Sequence, residues 1–157
     1  MRETHIDPYE NTPRDAVVTA NDYADGQHFA LHTHQRGQFA YAACGVITVY
    51  TDQGNWVVPP QRAIWVPAGV PHEMSMNGPV TMLNTYVDTP AATRLGLPAQ
   101  CQVFGVSPLL RHLMSEAMDV PALYAEQSRD GHLMNLLLHE IADMAPLSSH
   151  SARRQTN

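Results

Sequence analysis

Two histidines separated by one residue, His32 and His34, are the side chains of this sequence whose types and spacing best suit chemistry. Side chains alternate between the two faces of a β-strand, so both imidazoles would point to the same side. Their Cα atoms would lie about 6.5 Å apart on one strand, and both rings could then reach one small object such as a metal ion. The segment 67–72 could bring a third imidazole, that of His72, to the same place.

Composition and charge narrow the classes of function. The nine basic residues are all arginines, and the absence of lysine excludes Schiff-base chemistry and a lysine-based phosphate loop. A formal net charge of −6 argues against nucleic-acid binding by this chain alone. Cys44 and Cys101 do not make a disulfide framework. With no secretory signal and no apolar run near the ~20 residues needed to cross a bilayer, we expect a cytoplasmic, single-domain protein.

The elements that must position the histidines are predicted to be short strands. We expect an irregular arm over residues 1–15, a β-barrel over 16–106, a helical hairpin over 107–146 and a disordered tail over 147–157. Asn77-Gly78 is a strong hairpin signal and predicts a turn between strands 73–76 and 80–87. Many short strands with regular turns favour an all-β barrel or sandwich. The further strands are predicted at 16–20, 29–34, 38–43, 46–51, 56–58, 63–66 and 102–106.

Two helices are predicted after the strands. Ser107 followed by Pro108 is typical of a helix start, and the second helix is expected over residues 129–145. This second helix is apolar around more of its circumference than one packing face needs. It could be buried against the barrel and the first helix. We instead expect one face to pack on the barrel and the other on a partner subunit, which would place Leu133, Leu137 and Ile141 at a homodimer interface.

The histidine segments resemble the two motifs of the cupin superfamily. The first motif is matched in spacing by Gly26, His32, His34, Gln38 and Gly45. Gln38 stands where the family usually has Glu. The Pro-x-Gly-x-x-His part of the second motif is matched by Pro67, Gly69 and His72. The second motif departs at its ends, where Gln61 replaces a glycine and Met76 an asparagine. The resemblance implies a small antiparallel barrel of the jelly-roll (double-stranded β-helix) type, with the metal-type residues facing inward.

A narrower resemblance covers residues ~15–146, a length typical of one domain. The stretch 36–74 is similar to the N-terminal sensor domain of AraC-type transcription regulators. In that group a cupin barrel is followed by a helical hairpin, through which such domains commonly dimerise, and then by a helix-turn-helix domain. Nothing after Pro146 in this sequence could supply that last domain, so DNA contact is expected only through a part that the chain lacks.

The resemblance implies a metal site of His32, His34, Gln38 and His72. Imidazoles suit borderline divalent ions, and we expect one such ion (Zn, Ni, Fe or Mn) or none. Gln38 is a weaker ligand than Glu, and without the carboxylate an ion would keep its full charge inside the barrel, which lowers its affinity. The alternative is that the histidines hydrogen-bond one another, water or a ligand and hold no metal.

A ligand cavity is expected beside the histidines. Ala40 and Ala42 share a strand face with Gln38, and Met74 shares one with His72, so small and apolar side chains would line the barrel there. Alternatively, the alanines make room for larger core residues. Trp65 is a further candidate for the cavity wall, although tryptophans are more often core. Arg36 could bind a ligand carboxylate from the barrel mouth or lie on the surface as an ordinary exposed arginine.

Three functions are compatible with this sequence. The first is a ligand-sensing and dimerisation domain of an AraC-type regulator. The second is a stand-alone, metal-dependent cupin enzyme of the oxygenase or isomerase type. The third is a truncated fragment that interferes with full-length regulators by dimerising with them. No catalytic residue is assigned, because Glu73, next to His72, should point to the opposite face of its strand and no other acid lies near the motifs. We therefore favour the sensor.

Overall fold

The computed structural model describes residues 6–144, and the predicted tail 147–157 lies outside them. Within this range a 3₁₀ turn over Asp7–Tyr9 precedes seven strands and three α-helices. The strands are β1 (Ala16–Tyr23), β2 (His28–His32), β3 (Gly37–Thr51), β4 (Gly54–Val58), β5 (Arg62–Val66), β6 (His72–Val87) and β7 (Gln102–Gly105). The helices are α1 (Thr89–Leu95), α2 (Pro108–Ala117) and α3 (Arg129–Asp143).

Two long strands, β3 and β6, organise the sheet. They pair antiparallel along most of their length, from Gly37 opposite Val87 to Tyr50 opposite Glu73. The first half of β3 also pairs with β5, and its second half pairs with β4. In the same way β6 pairs with β2 through its first half and with β1 through its second half, while β7 extends β5. This is the expected mainly β, cupin-type antiparallel fold followed by C-terminal helices.

The predicted hairpin at Asn77-Gly78 is wrong. β6 continues through both residues, and Gly78 adopts a left-handed backbone with φ of 75°. β3 carries a matching left-handed glycine, Gly45, where the pairing register with β6 shifts. A side chain at Gly45 would collide with the backbone carbonyl of Pro79. Bulges at these two glycines therefore bend β3 and β6. The pairing of β6 with β3 continues past the bend and overrides the preference of Asn77-Gly78 for a turn.

Alternation along β3 divides the core in two. Phe39 and Tyr41 face the helices, whereas Ala40 and Ala42 face the inside of the barrel. β1 alternates likewise, because Ala16, Val18 and Ala20 join the cluster that packs on the helices. The barrel thus has an inner core of its own, and its outer face is covered by α2 and α3.

Side-chain caps fix the starts of the helices. Ser107 accepts a hydrogen bond from the backbone N–H of Leu110 (3.1 Å), with Pro108 in the first turn as predicted. Ser128 caps α3 by accepting from the N–H of Gly131. α1, which is not among the predicted helices, is capped by Asp88, which accepts from the N–H of Ala91. None of the helices within residues 6–144 combines the length and apolarity that a membrane crossing requires.

The apolar stripe of α3 is covered by its own chain. Leu137 and Ile141 are buried in the cluster between barrel and helices, and Leu133 packs partly buried against it. This corrects the assignment of these side chains to a homodimer interface, because they have little surface left for a partner. A small barrel alone was expected to cover only one side of α3. The barrel face and α2 together cover more of its apolar surface.

Replacing Leu137 by Glu should therefore unfold the domain rather than dissociate a dimer. We expect a loss of about 3 kcal/mol or more in the free energy of unfolding, because the change replaces apolar contacts by an unpaired buried charge. Urea denaturation followed by circular dichroism measures the loss. The matched control is Ala142→Glu at an exposed position of α3, which should change stability by less than about 0.5 kcal/mol. Equal stability of both variants and wild type would contradict this packing.

Candidate functional site

The three predicted histidines converge. His32 ends β2 and lies directly opposite His72, the first residue of β6, while His34 follows two residues after His32. One ring nitrogen of each histidine lies within 4.8 Å of those of the other two. The ring centroids are 4.3 Å apart for His32 and His72, 4.9 Å for His32 and His34, and 5.5 Å for His34 and His72. The cross-strand pair thus brings together residues that are forty positions apart in the sequence.

Backbone carbonyls determine which ring nitrogens are free. His32 donates from Nδ1 to the carbonyl oxygen of Ala30 (2.7 Å), and His72 donates from Nδ1 to that of Val70 (2.8 Å). The Nε2 atoms of both residues therefore carry lone pairs, and that of His72 is buried without a protein partner. A hydrogen bond from the second ring nitrogen to a carbonyl is typical of metal-binding histidines, because it fixes the tautomer and the ring orientation.

Burial keeps two of the imidazoles neutral. It lowers the pKa of His34 to about 4, an effect that His32 and His72 increase and Asp7 opposes. Burial also lowers the pKa of His72, although the hydrogen bond to Val70 acts in the other direction. At neutral pH these two rings thus offer lone pairs rather than charges, as metal coordination or acceptance of a hydrogen bond requires.

Gln38 faces the same space as His32 and His34. Its side chain is buried, and its Nε2 donates to Oδ1 of Asn84 over 2.9 Å. Gln38 Oε1 is left buried without a protein partner. The three imidazole nitrogens fit a borderline divalent ion such as Zn²⁺ or Ni²⁺, and Gln38 adds a neutral oxygen in the same cavity. A metal site of this composition remains a prediction.

A cavity of about 330 Å³ opens beside the histidines. Four of the sequence-predicted residues line it, namely His32, His34, Gln38 and Met74. The other walls were not predicted from the sequence. They come from the N-terminal segment, β1, the start of β2 and β6, and their main members are Ile6, Asp7, Asn21, Tyr23, Phe29, Met82, Asn84 and Tyr86. Alternation along β6 could have identified Met82, Asn84 and Tyr86, because they share the face of Met74 across the bulge. The β1 residues depend on long-range pairing and carried no such signal.

Three predicted ligand-binding residues do not line this cavity. Ala40 and Ala42 are fully buried in the inner core with Ile47, Val49 and Ile64, so they make room for larger side chains. Trp65 points to the helices instead, where it packs on Gly37 and donates from Nε1 to the carbonyl of Pro98 over 2.8 Å. The odd-numbered position of Trp65 on β5 places it on the face opposite Ile64 and Val66.

Arg36 fulfils neither of its predicted roles. Its side chain is only 4% exposed, and its guanidinium donates to the backbone carbonyls of Glu10 (3.0 Å), Thr12 (2.6 Å) and Asp15 (3.2 Å). Gln35 adds a hydrogen bond from its N–H to the Glu10 carboxylate. Arg36 therefore fixes the segment before β1, whose residues Ile6 and Asp7 line the cavity, and it is not free to bind a ligand carboxylate.

Acidic groups are scarce at the site. Asp7 is the only carboxylate among the described residues that line the cavity. Glu73 points to the outside, where it pairs with Nε2 of His28 (2.9 Å), whose Nδ1 contacts Ser75 Oγ (2.7 Å). This exposed surface group has no part in the cavity. General acid–base catalysis at the histidines would thus have to rely on the imidazoles themselves or on Asp7.

Comparison with known proteins gives a family match over most of the chain. Residues 16–153 match the family model of the AraC-like ligand binding domain. The HTH-type transcriptional regulator NimR of Escherichia coli K12 is 28% identical over 126 residues, which cover 76% of this chain and 45% of NimR. The chain therefore spans about half the length of that curated relative.

Two solved structures align with different fractions of this chain. ToxT from Vibrio cholerae aligns with 92% of this chain and 58% of its own chain, with a TM-score of 0.58 and 5% identity, so the likeness concerns the fold. A cupin superfamily protein from Desulfitobacterium hafniense covers 47% of this chain and 68% of its own, with a TM-score of 0.45 and 18% identity.

The buried imidazoles should make stability depend on pH. Because folding lowers the pKa of His34 and His72 below the ordinary 6.5, the unfolded chain binds more protons, and stability falls as pH drops from 6.5. For His34 this loss ends near pH 4. The double variant His34→Gln/His72→Gln should therefore lose less stability than wild type over this range, as measured by urea denaturation.

The control for this experiment is His139→Gln, at an exposed position of α3. It should retain the wild-type pH dependence. Parallel pH profiles for wild type and the double variant would show that the two imidazoles are not buried as neutral groups.

Proposed function

Because the chain belongs to the family of AraC-like ligand-binding domains, we propose that it is the small-molecule-sensing domain of an AraC-type transcriptional regulator, with the ligand bound inside the cupin barrel. The observation that carries this proposal is the cavity of about 330 Å³ beside the three histidines. Its volume lies in the range of small-molecule sites. Regulation of transcription, a cytoplasmic location and a DNA-binding partner domain belong to the same proposal.

The cavity walls support binding of a molecule with one polar end. Tyr23 and Phe29 meet edge to face with ring centroids 4.9 Å apart, and Met74 and Met82 add apolar surface. Unpartnered acceptors are concentrated near the histidines, where Gln38 Oε1 and His72 Nε2 are buried without a protein partner. Leaving such atoms unpaired costs free energy, so a ligand that supplies partners is favoured.

The strands provide a route from the cavity to the helices. On β6, Met82, Asn84 and Tyr86 line the cavity, whereas the alternate residues Leu83 and Val87 pack in the cluster that contains α2 and α3. A ligand with different affinities for two arrangements of β6 would therefore shift the helices between two positions. An attached or partner DNA-binding domain would respond to this shift.

A stabilising ligand should reveal the sensor. In a thermal-shift screen of small acids, amines and nitrogen heterocycles, we expect at least one compound to raise the melting temperature, because binding to the folded state alone stabilises it. His34→Ala or His32→Ala should abolish the shift, whereas His139→Ala on the exposed face of α3 should retain it. The proposal fails if no compound stabilises the wild type, or if the shift persists in both cavity variants.

We also propose that the domain is a homodimer, through surface other than Leu133, Leu137 and Ile141. α2 and α3 leave Leu109 and Leu136 exposed by 49% and 45%, and contact with a second copy would remove this apolar surface from water. Light scattering at micromolar concentration should give the mass of two chains. Leu136→Glu should reduce it to one, and Asn135→Glu at the neighbouring exposed position should not. A wild-type monomer would refute the dimer.

The converging imidazoles favour a second candidate, a metal-dependent cupin enzyme acting on a small organic substrate. His32, His34 and His72 would hold the ion, and Gln38 could contribute its free Oε1. When bound, a divalent ion would supply Lewis-acid chemistry at the cavity. The protein itself would orient the imidazoles through the carbonyls of Ala30 and Val70 and provide an apolar wall for the substrate.

Elemental analysis tests this candidate. After chelation and defined re-addition of Zn, Ni, Fe or Mn, the enzyme hypothesis predicts a stoichiometric ion that survives buffer exchange and turnover that follows the ion content. His72→Ala should lose the ion, whereas His28→Ala, outside the cavity, should keep it. Loss of all four metals on buffer exchange would eliminate this candidate and leave the sensor unaffected.

A further inference from the structure

The charge of the cavity limits the ligand that the proposed sensor can hold. No arginine is among the described residues that line it, and the sequence has no lysine. Arg36 is committed to three backbone carbonyls of the N-terminal segment. The one charged lining group in the described range is the carboxylate of Asp7. Among the residues that the structure describes, a buried ligand anion would therefore find no opposite charge to compensate for its loss of water, and such burial is strongly unfavourable.

Two of the buried polar atoms without protein partners at the site are acceptors, Gln38 Oε1 and His72 Nε2, and the third, His34 Nδ1, accepts or donates according to the tautomer of its ring. Because His32 and His72 donate from Nδ1 to backbone carbonyls, Nε2 is the acceptor nitrogen of each ring in its neutral tautomer. Gln38 uses its Nε2–H on Asn84, so its unpartnered Oε1 is also an acceptor. A ligand that satisfies these atoms must supply N–H or O–H donors. A carboxylate or a phosphate dianion supplies none.

The remaining wall favours an aromatic or cyclic body. Tyr23 and Phe29 offer ring surface, and the Met74 and Met82 thioethers adapt to flat groups. Aromatic faces also attract organic cations. On the premise of the proposed function, we infer that the barrel of this domain selects compact aromatic bases, of the amidine or amine class, over acids of the same size and shape.

Three compounds that differ in charge but hardly in shape test this inference. Benzamidine, benzamide and benzoate share one ring and carry a cation, a neutral amide and an anion. Each is titrated into chelator-treated protein at neutral pH, because a bound divalent ion would reverse the field of the cavity. Dissociation constants come from calorimetry, and shifts of the Met74 and Met82 methyl signals in NMR spectra locate the compound. We expect benzamidine to bind at least about tenfold tighter than benzoate, with benzamide between them.

Variants of Gln38 separate charge from shape. Gln38→Glu keeps the size and adds a negative charge, so it should tighten benzamidine binding by about tenfold and weaken benzoate. Gln38→Leu removes the acceptor and should weaken benzamidine and benzamide while leaving the charge unchanged. His139→Gln on α3 should change none of the three constants.

The outcomes distinguish this inference from the proposed function. Benzoate binding at the methionines as tightly as benzamidine would overturn the selectivity for bases, yet it would support a small-molecule site in the barrel. Absence of binding by all three compounds at millimolar concentration would also overturn the inference, whereas the sensor itself would still be decided by the wider ligand screen. An unchanged benzamidine constant in both Gln38 variants would contradict the assigned role of the acceptor.

Discussion

The antiparallel pairing of β3 with β6 is the constraint on which the rest of this molecule depends. Each strand bends at a left-handed glycine, Gly45 or Gly78, and continues into the second half of the barrel. The first half of β6 can then pair with β2, which places His72 opposite His32. The second half pairs with β1 and exposes Asn84 and Tyr86 to the same cavity. The site therefore depends on both halves of β6 facing the same barrel interior.

Polar atoms without hydrogen-bond partners lie at the edge of the apolar inner core of the barrel. Ala40 and Ala42 mark a closely packed inner core, and beyond it Gln38, on the same face of β3, carries an unpartnered oxygen. Buried polar groups without partners are uncommon in folded proteins because each one costs stability. Their concentration beside a cavity, with two imidazoles made neutral by burial, is the arrangement expected of a site that awaits a ligand or an ion.

Local patterns in the sequence predicted most of the fold and the centre of the site. Motif spacing predicted the convergence of His32, His34 and His72, and the Ser107-Pro108 start of α2 followed from capping preferences. The errors have tertiary causes. The hairpin at Asn77-Gly78 was wrong because pairing with β3 continues across it, and Leu137 was assigned to a partner because the reach of the barrel face and α2 over α3 is not encoded locally. Arg36 could not be placed because its three acceptors are backbone carbonyls, which leave no mark in side-chain patterns.

The proposed site depends on the Nε2 atoms of His32 and His72 being available as acceptors, and the tautomers of the two rings show whether they are. Long-range ¹H–¹⁵N NMR correlation spectra of metal-free protein at neutral pH identify the protonated nitrogen of each imidazole. We expect His32 and His72 both to carry the proton on Nδ1, as their hydrogen bonds to Ala30 and Val70 require. Protonation of both rings on Nε2, or on both nitrogens, would contradict the account, because the site would then present donors or charge in place of acceptors.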